Sequence, residues 1–171
     1  MLAGPMDFTP GVVSLKGRGQ VIQNTLARQL ADYVVLYSPI HMAADLPENY
    51  EQHMDAFQFI KDVPTDWQDT RVVNGEVGDY ATIVRKDRNS EDWYLGSVTD
   101  EEARTLQVPL SFLDAGRTYT AQIYRDGEEA GWKTNPFAFV REERQVKRGD
   151  TLTLKLGSGG GAAIRFVATK K

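Results

Sequence analysis

A chain of 171 residues, 41% hydrophobic and 26% charged, holds enough apolar material for one sizeable core. It has no cysteine, which excludes a disulfide framework and any thiolate metal site, and its two histidines, His41 and His53, are too few for a histidine-rich metal cluster. A formal net charge of −4 argues against bulk attraction to nucleic acid or to an anionic membrane, and the base-rich stretch 137–171 reads as the solvated face of strands.

In chain order, Leu2-Ala3-Gly4 is apolar and strand-like with nothing ahead of it to pair with, which predicts a segment of a larger fold. The opening MLAGPMDFTPG lacks the positive n-region and apolar h-region of a signal peptide. No run approaches the ~18 apolar residues of a membrane span. Pro5, Pro10 and the Gly17-Arg18-Gly19 turn bracket a loop that ends near Gln20. Leu26, Leu30, Tyr33, Val34 and Tyr37 then fall on one face of an amphipathic helix, with Asn24 placed to cap it and Pro39 to end it. Pro47 suits the first turn of the next helix, whose face is Tyr50, Met54, Phe57 and Ile60, and Pro64 closes it.

After Thr65 the period changes to two. Asn74-Gly75, between Arg71-Val72-Val73 and Glu76-Val77, is the pair a type I′ hairpin turn asks for, because both central positions need φ > 0. The segment from Tyr80 to Val84 reads as a strand. The segment from Trp93 to Val98, apolar on both faces, reads as a central strand between two layers. Leu106, Val108, Leu110 and Phe112 alternate with other residues, and Pro109 puts that strand at an edge. Asp114-Ala115-Gly116 turns the chain, and Tyr119, Ala121 and Ile123 alternate up to a hairpin-type turn at Asp126-Gly127. A short apolar run from Phe137 to Val140 follows, then Leu152, Leu154 and Leu156, a flexible connector from Gly157 to Gly161, and Ile164 with Phe166. The fold class is therefore α+β, with N-terminal helices followed by an antiparallel β-sandwich. Neither apolar stripe of the helices can be buried within a two-helix piece, so the helices must pack on the sandwich or on something else.

The stretches LAGPMDFTPG, NTLARQLADYVVLYSPIHMAADLPENYE, FQFIKDVPTDWQDTRVVNGEVGDYATIVRKD, DWYLGSVTDEEARTL and YTAQIYRDG resemble the C-terminal end of glycoside hydrolase family 97 over nearly the whole chain. That family contains α-glucosidases and α-galactosidases, in which a catalytic (β/α)8 barrel is followed by a smaller β-sandwich. The resemblance implies that residues 1–64 are the last strand, loop and helices of the barrel, and that 65–171 are a sandwich associated with oligomerisation. Glycoside hydrolysis needs two carboxyl groups flanking the scissile bond. Family members supply these, and their calcium-binding glutamates, upstream of the matching region. The resemblance thus implies no catalytic residue, no calcium ligand and no turnover for this chain alone, with carbohydrate reached only through the complete enzyme. It also implies a periplasmic location.

Asp7 is the candidate for substrate contact in a complete enzyme, because loops after barrel strands face the active site; the plainer role is a brace ahead of Pro10. Glu76 and Asp79 suggest an acid/base pair but read better as exposed turn carboxylates. Trp67, Trp93 and Trp132 bear on an alternative, a free-standing carbohydrate-binding module. Trp132, beside Gly131 in a loop, is the tryptophan expected to be exposed, and Trp93 is expected in the core. His41 reads as a structural histidine, and GSGGG lacks the Lys-Ser/Thr pair and helix of a phosphate-binding loop.

Overall fold

The computed structural model describes residues 7–14, 16–17 and 20–169, so the strand expected at Leu2-Ala3-Gly4 lies outside the described residues. Two short strands, β1 (Lys16–Gly17) and β2 (Gln20–Val21), pair with each other ahead of helix α1 (Leu26–Val35). Thr25, not Asn24, caps α1. Its hydroxyl accepts from the Arg28 N–H at 3.3 Å, while Asn24 Oδ1 accepts from Gln29 Nε2. The second helical stretch is broken into α2 (Pro47–Glu51) and α3 (Met54–Asp62), because His53 leaves the helical region at φ −134° and ψ 44°. The break turns the buried face, so that Met54 is exposed while Ala56 and Phe59 are buried.

The strands that follow are β3 (Trp67–Glu76), β4 (Tyr80–Asp87), β5 (Trp93–Thr99), β6 (Arg104–Pro109), β7 (Thr118–Asp126), β8 (Phe139–Lys147), β9 (Thr151–Leu156) and β10 (Gly161–Ala168). Six form one antiparallel sheet in the order β3-β4-β5-β10-β7-β8, and β6 pairs with β9 in a second. Every residue of β5 is buried, as its unbroken apolar run requires of a strand covered on both faces. Pro109 lies on β6, which pairs only with β9, so its missing N–H costs no ladder bond.

One face of the large sheet packs Trp93, Leu95, Ile123, Ile164 and Phe166 against Leu106, Val108, Leu152 and Leu154 of the small sheet. The other face packs Trp67, Tyr94 and Tyr124 against Leu30, Tyr33 and Phe59 of the helices. The apolar stripe of α1 is therefore closed by the sandwich itself. Gly96 permits the close approach, since a Cβ there would lie 2.6 Å from the Ala31 carbonyl oxygen and 2.9 Å from Val34 Cβ.

Three expected turns differ. The β3–β4 hairpin reverses at Glu76-Val77-Gly78-Asp79, not at Asn74-Gly75. The Asp79 N–H donates to Glu76 O at 3.1 Å, and Gly78 takes φ 96°, as the third position of a type II turn requires. Asn74 and Gly75 stay inside β3, beside a bulge at Val73 where pairing steps from Val72↔Ile83 to Asn74↔Thr82. Asp126-Gly127 is not a tight turn either: residues 127–138 make an excursion before Asp126 pairs with Phe139. The stretch from Gly157 to Gly161 is no loose connector. Gly159, Gly160 and Gly161 are buried, and the Thr99 N–H donates to Gly160 O at 3.1 Å.

Candidate functional site

Asp7 opens a segment that the rest of the helical layer holds from several sides. The Phe8 N–H donates to Ile40 O at 3.3 Å, and the Met42 N–H returns a bond to Phe8 O at 3.1 Å. Gln29 Oε1 accepts from the N–H groups of Gly11 and Val12 at 3.0 and 3.1 Å. The Tyr33 hydroxyl reaches both Pro10 O and Met42 O, and Tyr50 donates to Gly11 O at 2.8 Å. Gly11 has φ 87°, and a Cβ there would run into the Tyr33 hydroxyl, so glycine is required on both counts. Asp45 Oδ2 accepts from the N–H groups of Val13 and Ser14 at 2.8 and 2.6 Å. Burial alone would raise its carboxyl pKa, but these N–H groups, the Asn49 amide and the Leu46 N–H hold it down to about 2.

Asp7 itself, next to Phe8 of this braced segment, is exposed. Near it in the fold, Leu36, Tyr37, Ile40 and Met42 leave an exposed apolar strip, with Ile40 at 59% exposure. His41 sits edge-on to Tyr33 at 5.2 Å, with Nε2 3.3 Å from Leu36 O, and burial lowers its pKa. Among the described residues no three His, Asp or Glu side chains converge as a metal site. No helix there is long and apolar enough to cross a membrane.

Trp132 belongs to a different loop. Its N–H donates to Ser158 O at 3.0 Å, its ring packs on Gly159, and the Lys133 ammonium stands 4.9 Å from the ring centre. It is half-buried, whereas Trp67 and Trp93 are 8% and 1% exposed. The described residues therefore contain no pair of exposed tryptophans to stack on a sugar, and a free-standing carbohydrate-binding module loses its platform. Glu76 and Asp79 are the outer residues of the β3–β4 turn. Asp79 is engaged by Arg104 at 3.3 Å, the behaviour of turn carboxylates.

Residues 66–167 match the family model described as glycosyl-hydrolase 97 C-terminal, oligomerisation. The chain belongs to glycoside hydrolase family 97. It superposes on a family 97 enzyme from Pseudoalteromonas sp. strain K8, solved in complex with panose and with acarbose. That match has a TM-score of 0.96 and 55% identity, and covers 99% of this chain and 27% of that one. The retaining α-galactosidase of Bacteroides thetaiotaomicron is 34% identical, over 96% of this chain and 25% of its own length. A β-arabinopyranosidase structure matches with a TM-score of 0.75 and 26% identity, over 95% of this chain and 25% of that one. This family 97 chain thus spans about a quarter of the length of its relatives and corresponds to their C-terminal part.

Sequence reasoning misses two buried charges of this family 97 chain. Arg85 is 6% exposed. Its Nε donates to Val34 O at 2.6 Å, Nη2 to Val35 O at 3.4 Å and Nη1 to Thr70 Oγ1 at 2.8 Å, with the Tyr37 and Trp67 rings beside it. Its partners are the free carbonyls at the end of α1, the negative end of the helix dipole. Asp126 is 1% exposed, and its Oδ2 accepts from the N–H groups of Gly157 and Gly161 at 2.9 and 2.8 Å. Burial raises its pKa, while Thr25 and the two glycine N–H groups draw it back. Arg85 follows Val84 at the head of the charged stretch Arg85-Lys86-Asp87-Arg88, so neither charge is marked out in the sequence.

Proposed function

We propose that this chain is the C-terminal region of an α-glycosidase, in which residues 1–64 complete the catalytic barrel and 65–171 brace it and carry subunit contacts. The observation that supports this best is the exposed strip Leu36, Tyr37, Ile40 and Met42, presented on a braced segment beside Asp7. A contiguous apolar strip on a rigid support is a surface made to be covered. On this reading the cover is the rest of the barrel, and Asp7 stands at the rim of the sugar pocket, where it accepts a hydrogen bond from a substrate hydroxyl. Trp132, with Lys133 over its ring, is the weaker sugar contact.

The general acid and the base or nucleophile come from upstream barrel strands, and so do the calcium ligands, as the family resemblance implies. The chain's own residues supply position rather than proton transfer. The relative at 55% identity was solved with panose and acarbose, against 34% identity to an α-galactosidase, so we favour an α-glucoside as substrate of the complete enzyme.

The test is an assay of the purified 171-residue chain on an α-glucoside and an α-galactoside, paired with Asp7→Asn in the complete enzyme. The chain alone should turn over neither substrate, and Asp7→Asn should lower kcat/KM by about 10-fold. Turnover by the isolated chain would overturn the proposal, and an unchanged kcat/KM would remove Asp7 from the pocket.

A further inference from the structure

We infer that Asp45 is a positioning residue of the sugar pocket, whose carboxylate fixes the segment from Phe8 to Ser14 and with it the place of Asp7. The inference rests on the reading that residues 1–64 complete the barrel with Asp7 at the pocket rim, and it adds the residue that sets that rim.

The chain from Ile40 to Asp45 runs alongside the segment from Phe8 to Ser14 as a rail. Phe8 and His41 form a parallel bridge, and the Ala44 N–H donates to Pro10 O at 3.0 Å. Asp45 ends the rail. Its Oδ2 accepts from two consecutive N–H groups, Val13 at 2.8 Å and Ser14 at 2.6 Å. Its Oδ1 accepts from the Leu46 N–H at 2.8 Å and the Asn49 amide at 2.5 Å, which ties the carboxylate to the start of α2. Its own N–H donates to the Tyr50 hydroxyl at 3.1 Å, and that hydroxyl donates in turn to Gly11 O.

Two properties single out Asp45 among the anchors. Among the described residues it is the one charged side chain bonded to the segment, the others being Gln29, Tyr33 and Tyr50. Bonds to an ionised acceptor are roughly twice as strong as neutral ones. The second property is its place relative to Gly11. A glycine at φ 87° has no side chain to fix its turn, so the direction of the chain on either side depends on what grips each arm. Asp45 acts on both. Through Oδ2 it holds the arm that ends at Ser14, and through Oδ1 it fixes the end of the rail on which the Phe8 arm lies. The fold itself does not depend on it. Asp45 is only partly buried, and Gln29, Tyr33 and Tyr50 keep the segment attached without it.

The experiment is a double-mutant cycle in the complete enzyme, comparing Asp45→Ala, Asp7→Asn and the pair on whichever of an α-glucoside and an α-galactoside it hydrolyses. Circular dichroism measures the folded fraction of each variant, and amide exchange is followed over residues 8–14. Asp45→Ala should speed exchange at Val13 and Ser14 and lower kcat/KM per folded enzyme by about 5-fold. Because the loss acts through Asp7, the double variant should lose no more than the ~10-fold expected of Asp7→Asn alone. Asp45→Asn keeps one acceptor oxygen, enough for one of the two pairs of donors, and should fall between native and alanine. A merely structural Asp45 would lower the folded fraction with kcat/KM per folded enzyme unchanged, or would lower kcat/KM equally with and without Asp7. Either result, or unchanged exchange at Val13 and Ser14, overturns the inference and leaves Asp7 at the rim. A silent Asp7→Asn removes Asp7 from the pocket, and the inference falls with that reading.

Discussion

Replacing Arg85 with methionine should destabilise the chain by about 2 kcal/mol and loosen α1 before anything else. The guanidinium donates to Val34 O, Val35 O and Thr70 Oγ1 from a buried position. Hydrogen bonds from a charged donor contribute roughly 1.5–3 kcal/mol each, and a buried carbonyl left without a partner costs roughly 1–3 kcal/mol. Against this stands the desolvation of the cation, visible in an Arg85 pKa that burial lowers, and no described carboxylate offsets it. Methionine fills most of the volume and removes that penalty, so the relief of desolvation cancels part of the hydrogen-bond loss and about 2 kcal/mol remains. For a chain of this length each 1 kcal/mol moves the midpoint by roughly 2–4 °C, so Tm should fall by about 4–8 °C. Thermal unfolding followed by circular dichroism reads the total, and amide exchange across Leu26–Val35 reads its location. Arg85→Lys keeps a charge but not the fork, and should fall between the two. A methionine variant with native or higher Tm would refute the reasoning, and would mean that apolar packing alone holds α1 on the sheet.

Gly96→Val should cost ~3 kcal/mol or more in urea unfolding, because its side chain would collide with the backbone of α1 at Ala31. Asp32, on α1, has its carboxyl pKa pushed from 3.8 up to about 6 by burial, with Arg28 pulling it back. The folded state therefore binds this proton more tightly than the unfolded state, so the contribution of Asp32 to stability is full below pH 3.8 and is lost as pH rises through about 6. Asp32→Asn should flatten that decline and add ~1 kcal/mol at pH 7, measured by denaturant titration at both ends of the range. Asp126→Ala should orphan the N–H groups of Gly157 and Gly161 and cost ~3 kcal/mol, with a red shift of Trp132 fluorescence as its support loosens.

Much of this architecture is legible in the residues, and the failures have physical reasons. β5 is readable because both its faces are buried, which leaves an uninterrupted apolar run. β9 is readable from strict alternation, since one face meets the core and the other solvent. β8 is legible only at its start, because an edge strand with few buried positions carries charges that give no period. Asn74-Gly75 has the local preference for a tight turn, yet the bulge at Val73 and the Asn74 amide bond to Gln107 O at 3.4 Å keep it in the strand. Arg85 and Asp126 answer to backbone groups rather than to charged side chains, so no pairing of opposite charges in the sequence points to them. Asp7 is marked out by family resemblance, and the structure shows it exposed.

The large sheet is shared by two cores, one on each face, and this makes Pro64 a misleading place to cut. A module trimmed to begin at Thr65 would lay Trp67, Tyr94 and Tyr124 bare and remove the helix that Arg85 and Gly96 are shaped to receive. Helices and sandwich should therefore melt as one cooperative unit. A graft of this region onto another scaffold should keep the helices with the sandwich and not be seamed at the change from helix to strand.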